Sequence, residues 1–242
     1  KVDEDNSDYN ATFNALRGRY GNKIAPVIVP VWNAAKKVTG IIDVLNKRAY
    51  EMQNLKRVEI EVPEDKVSVI EEFNDALKEA VAETDETLMD RFFEGDDFTY
   101  REMMTGLHRG VSDLSLFPVL CGSGVTCLGS LMLMDHIIEL LPNPVEGNYH
   151  KATTADGKVE EFVVSPGGVP SAFVWKTVSD QFGKFSYVKV LSGEINADTT
   201  LVNSRTGEAE KLGRLYTMCG KKNTEVKALT CGDIGAIGKM DK

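Results

Sequence analysis

The pattern of apolar and polar positions changes period once along the chain, near Pro142-Asn143-Pro144. Before that point the text is mixed. Residues 25–32 (APVIVPVW) and 40–50 (GIIDVLNKRAY) are short and β-like. Residues 58–64 (VEIEVPE) alternate apolar and polar, which predicts a half-buried strand. Helical spacing then takes over: Val67, Ile70, Phe73, Leu77 and Val81 fall on one apolar stripe. Leu88 and Phe92 mark a second, short helix, and Thr99-x-x-Glu102 is a capping box that opens a third through Met103 and Leu107. Over residues 130–141, Leu131, Met134, Ile137, Ile138 and Leu141 share one face while Asp135 and Glu139 fall on the other. Core packing is the expectation for every one of these stripes.

After Pro144 the period becomes two. Residues 172–179, 185–193, 199–207, 210–218 and 232–239 read as strands at short intervals, with turn residues such as Asp180, Gly183, Gly193, Asn203, Gly207, Gly220 and Gly232 between them. Regular short strands with turn chemistry between them predict a small antiparallel barrel. The junction that precedes the switch invites a functional reading. The segment FPVLCGSGV, residues 117–125, runs from a short apolar stretch into a glycine-flanked serine and on toward a helix. Such a loop is where open α/β sheets bind ligands, and it is also how any tight strand-to-helix connection looks.

Composition narrows the picture. The 242 residues suffice for two domains, with 42% hydrophobic and 27% charged residues. No apolar run approaches the roughly 20 residues that span a bilayer, so a membrane partner is not expected. The opening KVDEDNSDYN is neither a secretory signal nor a transit peptide, and the missing Met suggests a fragment or a processed chain. Cys121, Cys127, Cys219 and Cys231 form no C-x-x-C pair, and His108, His136 and His150 stand at no metal-ligand spacing to them. The expectation is free thiols in a reducing cytoplasm and no metal site.

The net charge of −9 is uneven: residues 146–242 hold 13 Lys and Arg against 12 Asp and Glu, while residues 1–145 hold 15 against 25. The acidic half is not expected to lie along a phosphate backbone. It could dock a basic protein, or simply keep the surface soluble. Catalytic constellations are missing from the text. There is no G-x-x-x-x-G-K-[ST] phosphate loop and no G-x-S-x-G elbow, and no histidine is placed to activate Ser123. The chain reads as a binding module or as part of an enzyme.

A set of strings supplies a more specific expectation. AVAETDETLMDRFFEG (80–95), PVLCGSG (118–124), GSLMLMDHIIELLPNP (129–144), the run from GKFSYVKVLSGEI to NSRTGEAEKLGRLYTMCG (183–220) and GDIGAIG (232–238), in that order, resemble the bacterial elongation factor G family of translational GTPases. The resemblance covers nearly the whole chain. It implies an α/β fold, a partial P-loop GTPase domain with an inserted α+β subdomain, followed by an antiparallel β-barrel. Residues 1–145 would be the C-terminal part of the GTP-binding domain, with the insert at about 20–110, and residues 146–242 the translation-factor barrel called domain II.

The same resemblance assigns residues. Lys1-Val2-Asp3 is similar to the family's NKxD motif without its Asn, so Lys1 and Asp3 would read guanine. A carboxylate accepts from guanine's ring N–H and exocyclic amine, and charged hydrogen bonds of that kind contribute about 1.5–3 kcal/mol. CGSG is similar to the last guanine-binding motif, with Ser123 orienting Asp3 and the Gly124 N–H facing guanine O6. Gly124 departs from the usual Ala, Lys189 stands where Arg is common and Asp198 where Gly is common, drift that suggests a divergent paralogue.

The partners implied are the ribosome, through ribosomal RNA against the barrel (candidate contacts Lys184, Lys189, Arg205 and Arg214), and the ribosomal stalk protein against the acidic helices of the insert. GTP or GDP with magnesium would belong to the full-length parent, and no cofactor is expected in this fragment. The parent would be a cytoplasmic, ribosome-dependent GTPase promoting translocation. The alternatives are a ribosomal-protection or accessory paralogue, or a non-hydrolysing ribosome-binding module. No catalytic residue is assigned, because the phosphate loop and switches would lie upstream of Lys1.

Overall fold

The computed structural model describes residues 1–33, 35, 37–146, 149–153, 156–180 and 183–240, and for residues 149, 150, 162, 163 and 180 the backbone alone. The chain divides into two compact units, Lys1–Pro142 and Asn143–Lys242.

In the first unit, helix α1 (Tyr9–Tyr20) is opened by Asp8, whose carboxylate accepts from the Ala11 N–H at 2.9 Å, and closed by Gly21 at φ 75°. Two short strands follow, β1 (Ile24–Pro26) and β2 (Ile28–Trp32), then β3 (Val38–Asp43), β4 (Arg48–Gln53) and β5 (Lys56–Ile60). Strands β2 to β5 pair in order as an antiparallel meander. At its β3–β4 turn the buried Asp43 carboxylate accepts from the Asn46 backbone N–H (3.1 Å) and side-chain amide (2.7 Å).

Helices α2 (Val67–Ala82), α3 (Glu86–Glu94) and α4 (Tyr100–Ser112) come next. Ile70, Leu77 and Val81 of the α2 stripe are buried and Phe73 is half-buried, while Val67, in the first turn, is exposed. Phe73 meets Phe13 of α1 edge-on at 5.5 Å, and Asn74 donates to the Val44 carbonyl at 3.0 Å, so α2 is tied both to α1 and to the meander. The expected capping box is present on α4: the Thr99 hydroxyl accepts from the Glu102 N–H, and the Glu102 carboxylate accepts from the Thr99 N–H at 2.7 Å. With Arg91 also bonded to it, Glu102 is held down at about 2. On α4, Gly106 lies so close to α2 that a Cβ there would sit 2.5 Å from a Val81 methyl.

Strand β6 (Phe117–Val119) returns to pair in parallel with β1, Ala25 opposite Pro118. The meander and α2 to α4 therefore form one excursion between two adjacent strands. Helix α5 (Ser130–Leu140) closes the unit. It departs from the expected packing: its buried residues are Met132, His136 and Leu140, spaced four apart. Leu131, Met134, Ile137, Ile138 and Leu141, expected in the core, are exposed by 39–80%. The helix is apolar on most of its circumference, so the stripe could not specify which side meets the sheet.

The second unit is antiparallel β throughout its described residues. Its strands are β7 (Tyr149–Thr153), β8 (Val159–Val163), β9 (Ser171–Asp180), β10 (Gly183–Ser192), β11 (Glu194–Asn196), β12 (Thr200–Val202), β13 (Ala209–Lys211), β14 (Leu215–Cys219), β15 (Lys222–Val226), β16 (Ala228–Thr230) and β17 (Ile234–Gly238). Five of them form a sheet in the order β15-β14-β17-β10-β9, and the pairs β7-β8, β11-β16 and β12-β13 stand as separate ladders. Side chains alternate along β10, with Ser186, Val188, Val190 and Ser192 buried. The core beneath is Val188, Val190, Ile195, Leu212, Leu215, Leu229 and Ile237.

Leu107 is fully buried between α4 and its neighbours, whereas Ile137 is 47% exposed. Leu107→Ala should cost about 2–5 kcal/mol of first-unit stability, and Ile137→Ala within about 0.5 kcal/mol. Hydrogen exchange of first-unit amides measures both, and an equal cost for the two would contradict the burial pattern.

Candidate functional site

The loop after β6 is shaped by close backbone contacts. The Ser123 N–H donates to the Leu128 carbonyl at 2.9 Å, closing residues 123–128 into a tight turn. Gly122 and Gly129 make that closure possible. A Cβ on Gly122 would lie 2.8 Å from the Leu128 carbonyl oxygen, and one on Gly129, at φ 80°, would lie 2.6 Å from the Cys121 carbonyl oxygen. Neither glycine was among the assigned site residues; Gly122, next to Ser123, is the one that the sequence signals. Cys121, half-buried below the loop, has its thiol pushed up to about 12 by desolvation, which leaves it inert as a nucleophile at neutral pH.

Four residues were expected at this place, and the structure brings them to one corner. The Lys1 backbone nitrogen donates to the Gly122 carbonyl at 2.8 Å, and the Val2 N–H reaches the same oxygen at 3.3 Å. The first residues are thereby laid beside the loop. Ser123 is 2% exposed. Its hydroxyl oxygen accepts from the Val125 N–H at 3.2 Å and the Thr126 N–H at 3.1 Å. The neighbouring Ser123 hydroxyl is the main reason Asp3 titrates below the ordinary carboxylate range, with its own backbone N–H second. Asp3 stays exposed, as an anion presented to solvent by a buried hydroxyl. Gly124 is exposed, with open space where a side chain would be, so an Ala would fit there without a clash. Among the described residues nothing accepts the Gly124 N–H. The Lys1 ammonium lies 3.7 Å from Glu4, both well exposed.

The four candidate RNA contacts are not brought together. Lys189 lies on the outer face of β10, level with Phe173 of β9 and Ile234 of β17. Lys184, five residues earlier, points by alternation to the opposite side. Arg205 sits in the β12–β13 turn, where its N–H donates to Asn203 at 3.0 Å. Arg214 faces Glu225 at 3.4 Å on the surface. Among the described residues no cluster of His, Cys, Asp and Glu could hold a metal ion. No described helix is long and apolar enough to cross a membrane.

With this geometry in view, known proteins were compared. A family signature described as elongation factor G domain 2 matches residues 170–242. An elongation factor G-like protein of Thermotoga maritima is 32% identical over 99% of this chain, which corresponds to 35% of that protein. A solved structure from Thermus thermophilus superposes with a TM-score of 0.80 at 28% identity, over 99% of this chain and 33% of that one. The chain thus spans about a third of the length of the proteins it matches.

The Ser123 hydroxyl beside Asp3 has a titration consequence. Asp3 has a lowered folded-state pKa, so its contribution to stability is full above the ordinary carboxylate value and is lost as pH falls through the folded value. Ser123→Ala should move Asp3 upward toward the ordinary carboxylate range, read by NMR titration of its carboxyl carbon. An unchanged titration would show that the hydroxyl does not hold the carboxylate.

Proposed function

Because the chain belongs to the elongation factor G family, of whose members it spans about a third, we propose that it carries the guanine-reading half of a GTP-binding domain together with domain II, within a GTPase that drives movement of tRNA and mRNA on the ribosome. The observation that carries the reading is the Ser123–Asp3 pair beside the bare Gly124 N–H. A fixed carboxylate accepts from guanine N1–H and the exocyclic amine, and an N–H a few ångströms away donates to O6. Adenine has the reverse pattern at both positions, so the same corner rejects it.

The first unit fits a partial GTPase domain in two further respects. Parallel strands occur in sheets covered on both faces, yet β1 and β6 pair only with each other among the described residues. Helix α5, too, presents five apolar residues to solvent. A sheet continued by the preceding part of the longer protein would use both. In this reading residues 27–116, the excursion between β1 and β6, are the inserted subdomain, and its α2–α4 surface meets the stalk protein. The second unit is the domain II barrel and faces ribosomal RNA. GTP, GDP and magnesium belong to the longer protein, since no phosphate loop lies within these 242 residues.

Two measurements test the proposal. This chain alone should bind guanine nucleotide very weakly, because phosphate contacts dominate such sites, and a sub-micromolar titration would overturn that division of labour. In the longer protein Asp3→Asn should exchange preference from guanine to xanthine nucleotides, since a side-chain amide donates where xanthine offers a carbonyl. Unaltered guanine preference in that variant would remove Asp3 from the base site.

A further inference from the structure

The side of the five-stranded sheet that faces away from the second unit's core is unusually aromatic. Phe185 and Tyr187 alternate outward along β10, on the opposite side from Val188 and Val190. A bulge at the β9–β10 pairing, where Tyr187 faces Lys176 and Val188 faces Val174, inserts Trp175. The indole packs on Tyr187 with ring centroids 5.6 Å apart. Across β17, Tyr216 of β14 meets Phe185 at the same 5.6 Å, edge-on. Phe173 and Trp175 are 59% and 50% exposed. Lys189 stands in register with Phe173, in the midst of these rings.

We propose that this outer face is a stacking platform for unpaired RNA nucleotides. The assignment refines the ribosome-facing reading of domain II above and rests on it for the presence of RNA. Exposed rings on one side of a sheet, Phe173 and Trp175 foremost, offer π-faces to unpaired bases, and stacking of this kind needs no sequence. The charge decides between RNA and a protein partner. Lys189 forms no ion pair among the described residues, and an apolar protein surface closing over it would bury an unpaired ammonium, which is costly. A phosphate running between two stacked bases supplies its counter-charge. Glu225, opposite Tyr216 on this face, is already occupied by Arg214.

The test uses the whole chain in a Trp32→Phe background, so that Trp175 is the remaining tryptophan. The probes are an unstructured RNA of about ten nucleotides and the same strand annealed to its complement. The single strand should quench Trp175 fluorescence and bind more tightly than the duplex. Read by fluorescence anisotropy of a dye-labelled strand, Trp175→Ala or Phe173→Ala should weaken binding about 5- to 150-fold, with Trp175→Phe retaining most of it. Lys189→Ala should weaken binding and lower the salt slope by about 1. Equal affinity for duplex, or indifference to both alanine variants, would overturn the proposal in favour of backbone contact alone. Co-sedimentation of the chain with small ribosomal subunits is scored separately. Pelleting without quenching by the single strand refutes stacking and leaves the ribosome reading standing, whereas absence of both refutes the two together.

Discussion

The parallel pairing of three residues in β1 with three in β6 is the constraint on which the first unit depends. Ile24, Ala25 and Pro26 lie beside Phe117, Pro118 and Val119, and the Val27 N–H extends the ladder to the Val119 carbonyl at 2.9 Å. Such non-local contacts close a long loop before they return any stabilisation. They form here because the intervening meander and helices share one core with Ile24, Ala25 and Leu116, in which Ile28, Ile42, Leu77 and Leu107 are almost wholly removed from water. Once β6 is placed, the loop that follows has little freedom. Ser123 is tied to Leu128, and Gly122 receives the first residues of the chain. The corner that gathers Asp3, Gly122 and Ser123 is thus the product of sheet pairing more than of any contact within the corner.

That dependence explains why a buried serine can manage an exposed aspartate. Asp3 is open to water and would titrate ordinarily if its surroundings were only solvent. The hydroxyl that lowers its titration is anchored by two backbone N–H groups of its own turn, so little further ordering is needed for it to favour the carboxylate.

Much of this was legible in the text, and the exceptions have a common physical origin. The helix spans of α2 to α4, the Thr99–Glu102 capping box and the period-two strands follow local rules, and local rules are written locally. Which face of an element is buried depends on what it meets. In α5 the residues SLMLMDHIIEL are apolar on most sides, and the sheet selected Met132, His136 and Leu140 over the wider stripe. In β10 the outward positions are Phe185, Tyr187 and Lys189 and the inward ones are Ser186, Val188 and Val190. Hydrophobicity alone would turn the rings inward. A small antiparallel unit has room inside for Val, Ile and Leu but not for stacked aromatics, so volume overrides apolarity.

The same reasoning separates the two exposed apolar surfaces of the chain. On α5 the exposed side chains are aliphatic, apart from the thioether of Met134. On the five-stranded sheet they are flat rings interleaved with a lysine, and the sheet has its full set of core contacts on the other side. Aliphatic surface is covered by more protein, because only close packing makes use of its shape. Ring surface with a cation among it has a second way to be covered, by a charged chain of stacking bases. The character of the side chains, and not the amount of apolar area, is what the proposed assignment of the two faces to different partners rests on.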